Sequence, residues 1–272
     1  MQYAIQHYEN FPVASILLPR RLRYPVRVIY AFARQADDFA DEGDDPAEVR
    51  LAKLQQFNTE LDRIQRGEPS QNPLFRDLAE IIKIYQLPLQ YFRDLLDAFR
   101  QDVLKTRYTN FGEVMDYCRR SANPVGRLLL HLYRQTAPHQ LTLSDGICSA
   151  LQQINFLQDI AIDLHKGRIY LPQDELANYG IAEQQLARGE NDRQWWAFMQ
   201  FQITRTRQLL QSGAPLGQQL PGRVGLELRL IVMGGERILK KLERVQGNIF
   251  TARPVLNPAD WLYMFYRAVR AQ

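Results

Sequence analysis

Apolar residues return every three or four positions through almost the whole of a 272-residue chain, the period a buried helix face requires. In VRVIYAFARQADDFADE that face is Val28, Ile29, Phe32, Ala36 and Phe39. In PAEVRLAKLQQFNTELDRIQRG it is Val49, Leu51, Leu54, Phe57, Leu61 and Ile64, and the segment runs from Pro46 to a glycine stop at Gly67. NPLFRDLAEIIKIYQ and PLQYFRDLLDAFRQDVLK each open on a proline suited to a first turn. NFGEVMDYCRRSA, stopped near Asn123-Pro124, PVGRLLLHLYRQ and the long LSDGICSALQQINFLQDIAIDLHKG follow. After a polar connector come DRQWWAFMQFQITRTRQLLQ, GLELRLIVMGGERILKKLERV and NPADWLYMFYRAVRA. The one β-like run, GRIYLP, reads as a loop after a helix. There is no internal repeat and no linker. The prediction is one all-α domain over residues 1–272, a helical bundle with few wholly polar faces that encloses a central cavity.

Composition narrows the class. With 46% hydrophobic and 24% charged residues the chain reads as soluble and globular. Its net charge of +4 is scattered, which suits an anionic ligand or an acidic membrane surface. No basic run alternates with aromatics, so nucleic acid is not expected as a partner. Cys118 and Cys148 form no CxxC or metal pattern and read as buried free thiols in a reducing cytoplasm. The N-terminal MQYAIQHYENFPVAS is not built as a signal peptide, and no apolar run is long enough to cross a bilayer. The expected location is therefore cytoplasmic. WLYMFYRAVR is aromatic and basic, as in segments that touch a membrane surface, although a packed terminal helix is the plainer reading.

Two acidic stretches stand out from this pattern. YAFARQADDFADE carries Asp37 and Asp41 four residues apart, with Asp38 turned about 100° away and Tyr30 and Arg34 on the preceding turns. Like charges at that spacing repel by roughly a few tenths of a kcal/mol, so something should offset them. In LQQINFLQDIAIDLHKGRIYLP, Gln152, Asn155, Asp159 and Asp163 fall at offsets of three, four and four, on one face of a strongly apolar helix. A solvated face would more often hold Glu, Lys and Arg. Two helices that each present a pair of short carboxylates can face each other across a bundle core. Such a site offers hard oxygen ligands without Cys or His, a set that selects Mg²⁺, or Mn²⁺, over Zn²⁺. Mg²⁺ completes its shell with water and phosphate oxygens, so the implied ligand is an apolar diphosphate. A di-iron carboxylate bundle would need Glu-x-x-His pairs, and none is present.

These two stretches resemble the Asp-rich motifs of the head-to-head isoprenoid synthases, the squalene, dehydrosqualene and phytoene synthases. LLPRRLRYPVRVIYAFAR and YCRRSANPVG extend the likeness through nearly the whole chain. The resemblance implies an isoprenoid-synthase fold in which Asp37, Asp41, Asp159 and Asp163 bind Mg²⁺–diphosphate, with Asp38 in support. It places Tyr30, Arg34, Gln152, Asn155, Arg168 and Tyr170 along the active site, and aligns His7 with a family histidine. Condensing enzymes of this family carry a His-Ser-x-Ser-Phe-like segment near the N-terminus and a catalytic tyrosine in a Tyr-Cys-Tyr-Gly-like segment. This chain has HYENFPVAS and YCRRSANPVG instead.

Both departures resemble the bacterial hopanoid-pathway branch. There one member couples two farnesyl diphosphates to presqualene diphosphate, a second converts presqualene diphosphate and water to hydroxysqualene, and a separate flavoenzyme reduces that alcohol. The second member is the better match, which implies functional coupling to a presqualene diphosphate synthase and a squalene-forming flavoenzyme. A water-quenching enzyme needs a polar group near the cation, and Glu9 and Asn10 are the candidates. Arg119 and Arg120 stand where the condensing enzymes have their tyrosine, and read as a diphosphate clamp or a pocket closure. VMGGER lacks the strand and spacing of a dinucleotide loop, and no NADPH is expected. Two alternatives are carried: head-to-head coupling of two prenyl diphosphates, and a non-catalytic lipid-binding subunit. The second is disfavoured because all four aspartates are kept.

Overall fold

A computed structural model describes residues 18–251 and 253–270. His7, Glu9 and Asn10 lie outside them. The chain forms two compact units: one runs to Lys105 and includes Arg119–Leu141, the other takes Thr106–Cys118 and the chain from Thr142 onward.

The first unit is helical. It holds α1 (Arg20–Asp41), α2 (Ala47–Arg66), α3 (Pro73–Tyr85) and α4 (Leu89–Leu104), and includes α6 (Asn123–Tyr133). Helix α1 packs against α2, α3, α4 and α6. At its buried face Phe32 is fully enclosed, its ring 5.2 Å from Phe92, 5.5 Å from Phe57 and 5.9 Å from Phe75 between centroids. Pro25 lies inside α1 and cannot donate to the Arg21 carbonyl four residues back. Tyr85 Oη of α3 donates to that carbonyl instead, at 3.4 Å. At the other end Arg50 of α2 donates to the Ala40 carbonyl at 2.9 Å and to the Asp45 carbonyl at 2.8 Å. Free C-terminal carbonyls need such donors, so Arg50 fixes the end of α1 that carries the aspartates. The Gly67 stop is observed, with φ +73° closing α2.

The second unit contains most of α7 (Pro138–His165) and is completed by α8 (Gln173–Asn178), α9 (Glu183–Ala187), α10 (Arg193–Gly213), α11 (Leu216–Gln219), α12 (Gly222–Arg244) and α13 (Pro258–Arg270). Helix α5 (Phe111–Ser121) begins in this unit. The segment read as a polar connector thus holds two short helices. GRIYLP is not a loop: β2 (Ile169–Pro172) pairs in parallel with β1 (Arg107–Tyr108), and the Ile169 amide donates to the Thr106 carbonyl at 2.9 Å. PVGRLLLHLYRQ starts at Asn123, so the Asn-Pro pair opens α6 as well as ending α5.

Glycines set how closely α7 is approached. A Cβ on Gly213 of α10 would lie 2.5 Å from the Leu143 carbonyl oxygen, and one on Gly235 of α12 would lie 3.0 Å from Ile154. VMGGER is therefore a packing stretch of α12. Trp195 is fully buried, its Nε1 donating to the Gly247 carbonyl at 2.9 Å, and Phe198 is buried with it, while Phe201 is 39% exposed. Cys118 is buried, and burial pushes its thiol up to about 12. Cys148, expected to be buried too, is only partly so.

Candidate active site

The first acidic motif closes α1. Asp37, Asp38 and Asp41 follow Phe32 and Ala36, so the helix that buries the aromatic face turns its carboxylates to a partly exposed one. Arg34 offsets their repulsion. Its Nη1 lies 3.3 Å from Asp37, and its Nη2 lies 2.6 Å from Asp38 and 2.7 Å from Glu42. One guanidinium thus serves three acids at spacings of three, four and eight. Asp37 and Glu42 accept hydrogen bonds from this guanidinium, while Asp38 Oδ1 is within ion-pair distance of it without one. Tyr30 is partly buried one turn before Arg34.

Asp37 is hemmed in by protein although 35% of its side chain reaches solvent. Its carboxyl is pushed up to about 7, first by lost solvation and then by Asp41, with smaller contributions from buried Asp102 of α4 and from Asp38, against the pull of Arg34. Between its ordinary value near 3.8 and about 7, the folded protein holds a proton that the unfolded chain releases. Stability therefore falls as pH rises through that window. In EDTA, the melting midpoint is expected to drop by a few degrees between pH 5 and pH 8, a small change because the side chain is partly solvated. Asp37→Asn should flatten the profile, and Mg²⁺ should restore the midpoint at pH 8. A drop that persists unchanged in Asp37→Asn would assign it to another group.

The second motif sits on α7. Gln152, Asp159 and Asp163 are partly buried and Asn155 is exposed, between buried Ile154, Phe156, Leu157 and Ile160. Arg253 engages Asp159 through both carboxylate oxygens: Nε to Oδ1, and Nη2 to Oδ2 at 3.1 Å. Paired fork-to-carboxylate contacts are the strong form of ion pair. Helix α7 then ends at Gly167, φ +74°, with the Arg168 amide donating to the Asp163 carbonyl at 2.8 Å. Only a left-handed residue closes a helix in this way, which ties the loop to the last aspartate of the motif. Arg168 and Tyr170 are both largely buried. Tyr170 stacks on Phe156 at 4.1 Å between centroids and 8° between planes, with Tyr108 at 5.5 Å and Tyr117 at 5.6 Å.

Of the two arginines that follow Tyr117, Arg119 is exposed. Arg120 donates to Asp97 and Gln101 of α4, which gives it a structural anchor in the first unit. Arg253 was not signalled by the sequence, since it is 94 residues from Asp159 in a segment without helical period. Among the described residues, no three His, Cys, Asp or Glu side chains gather closely enough to hold a metal unaided. A pair of carboxylates per motif still fits Mg²⁺, which keeps several waters and shares its shell with phosphate oxygens. The mutual repulsion of Asp37 and Asp41 fits it further. Taken unit by unit, Asp37 and Asp41 on α1 are one such pair and Asp159 and Asp163 on α7 are another.

Residues 5–260 match the profile of the squalene/phytoene synthase family. The hydroxysqualene synthase of Rhodopseudomonas palustris is 37% identical over 268 residues, 97% of this chain and 89% of that one. The 15-cis-phytoene synthase of Synechococcus elongatus is 30% identical over 266 residues, 93% of this chain and 85% of that one. The crystal structure of squalene synthase HpnC from Alicyclobacillus acidocaldarius superposes with a TM-score of 0.82 at 36% identity, covering 88% of this chain and 90% of that one.

Proposed function

The chain belongs to the squalene/phytoene synthase family of isoprenoid synthases, which act on prenyl diphosphates, and we propose that it converts presqualene diphosphate and water to hydroxysqualene and diphosphate. The observation that carries this reading is the 37% identity to a hydroxysqualene synthase across 97% of the chain, in a chain that has both aspartate pairs. In this reading Asp37, Asp41, Asp159 and Asp163 serve Mg²⁺ and the diphosphate. Mg²⁺, when bound, supplies Lewis-acid withdrawal of charge from the leaving group.

The carbon–oxygen bond to diphosphate breaks, and its electron pair leaves with the diphosphate. The cyclopropylcarbinyl cation rearranges with relief of ring strain. Water oxygen then bonds to carbon and loses a proton. Arg34 pairs with Asp37 of the first acidic pair. Arg253 holds Asp159 in place, and Gln152, Asn155, Arg168 and Tyr170 line the diphosphate and chain. Glu9 and Asn10 are our candidates for orienting the water, with His7 and Arg119 contacting substrate. Water as nucleophile requires no NADPH.

Head-to-head coupling of two farnesyl diphosphates is the second reading, favoured by the 30% identity to a phytoene synthase. Incubation with each diphosphate in H₂¹⁸O, with Mg²⁺ and without NADPH, separates the two. An ¹⁸O-labelled thirty-carbon alcohol from presqualene diphosphate alone is the expected result. Presqualene diphosphate formed from farnesyl diphosphate, with no alcohol from either, would overturn it.

A further inference from the structure

Helix α13 buries one face and leaves an apolar one outside. Asp260, Met264 and Ala268, spaced by four, are 1%, 1% and 0% exposed, and the helix packs on α12. Across the helix Leu262, Tyr263, Phe265 and Tyr266 are exposed by 75, 47, 52 and 55%. Single exposed apolar side chains are ordinary, but four within five residues on one side of a helix form a patch.

The charge around that patch is positive. The guanidinium of Arg237 lies 5.3 Å from the Tyr263 ring centroid and that of Arg267 lies 5.9 Å from it, with Arg267 Nη1 donating to Tyr263 Oη at 3.2 Å. Arg267 first, then Lys240 and Arg237, draw the Tyr263 hydroxyl below its ordinary pKa. Lys240 and Arg244 are exposed one turn apart on α12. The neighbouring acids Asp260, Glu236 and Glu243 are each paired with cations, Glu243 with Arg207 at 2.8 Å. Asp260 is on the buried face and pairs with Arg237 and Lys241, while Glu236 pairs with Arg207 and, at 3.6 Å, with Lys240. Residues 261–267, WLYMFYR, contain no acid.

We propose that this face of α13 docks on an anionic bilayer, with Leu262 and Phe265 entering the acyl boundary, Tyr263 and Tyr266 at headgroup level, and Arg267, Lys240 and Arg244 against lipid phosphates. Aromatic and aliphatic side chains on one face of a helix, flanked by cations, are what an interfacial helix requires. A single helix face is small for a stable protein–protein interface, which buries about 800 Å² on each partner. The inference does not depend on the reaction assigned above. Among the described residues no helix is long and apolar enough to cross a membrane, so contact from one side is the geometry left.

Co-sedimentation of the full chain with phosphatidylglycerol-rich vesicles, against pure phosphatidylcholine vesicles, tests it. Wild type is expected to pellet with the anionic vesicles and to be released by high salt. The combined Leu262→Ser, Phe265→Ser and Tyr266→Ser variant should lose about tenfold or more in partitioning, and Arg267→Gln about fivefold. Leu262→Ser alone carries the test if the combined variant melts early. Absence of wild-type pelleting on anionic vesicles, or equal pelleting of the serine variants, overturns the proposal. So does a serine variant that turns an oligomer into a monomer in light scattering, since the patch would then join copies of this chain.

Discussion

Asp159→Asn is expected to lower turnover of presqualene diphosphate by about three orders of magnitude or more, while the protein stays folded. The substitution keeps the volume and shape of the side chain and removes its charge. A ligand to Mg²⁺–diphosphate acts on charge that develops as the leaving group departs, and several kcal/mol of barrier rest on such contacts. At about 1.4 kcal/mol per factor of ten, that is a loss of roughly 10³. The structural cost is smaller. Arg253 loses a bidentate partner at a position where the two side chains keep 26% and 18% of their surface exposed, so water can replace part of the interaction. Diphosphate release and the melting midpoint, measured on the same preparation, read the two effects apart.

Arg253→Gln supplies the control. It breaks the same ion pair but leaves the carboxylate, so Mn²⁺ binding followed by electron paramagnetic resonance should survive in Arg253→Gln and fail in Asp159→Asn. Equal loss of metal in both variants, or Asp159→Asn turnover within tenfold of wild type, would remove Asp159 from the metal set.

Arg253 also shows where the chain is legible and where it is not. The stripe Gln152, Asn155, Asp159 and Asp163 could be placed on one face of α7 because a helix maps offsets of three and four onto direction. The Gly67 stop and the α1 apolar face were legible for the same reason, since each is decided within a turn or two. The partner of Asp159 was not, because it comes from a segment 94 residues away whose local sequence carries no period. The pairing of β1 with β2 joins residues on either side of α5, α6 and α7 and was missed likewise. Ile169–Pro172 is buried at every position, so it lacks the alternation that marks a half-exposed strand. Helices α8 and α9 are too short for an apolar period to repeat. At the first motif the sequence distinguished Asp38 from Asp37 and Asp41 by direction. It could not show that Asp102 of α4 opposes the ionisation of Asp37, because that approach is set by packing.

Phe32→Ala is expected to destabilise the protein by about 3–5 kcal/mol, the largest stability effect we foresee from one substitution in the first unit. The ring is fully buried and meets three others, edge-on to Phe75 and Phe92 and tilted against Phe57. Removing it forfeits apolar burial and three ring contacts, and leaves a cavity that three rigid neighbours cannot fill. At about 2–4 °C per kcal/mol for a chain of this size, the midpoint should fall by roughly 6–20 °C. Phe39→Ala serves as the comparison: that ring is only partly buried and, among the described residues, meets the ring of Phe57 alone, so its loss should cost less than half as much.

The position of Phe32 makes the result informative about function. Asp37 and Asp41 follow it by five and nine residues, about 140° and 180° around α1, so the ring and the carboxylates occupy opposite faces of one helix. Below its lowered midpoint the variant should therefore bind Mn²⁺ nearly as tightly as wild type. A midpoint shift under about 1 kcal/mol equivalent would mean that the cluster relaxes around the gap. Loss of metal binding in the still-folded variant would mean that the orientation of α1, and with it the Asp37–Asp41 pair, is held mainly by this one ring.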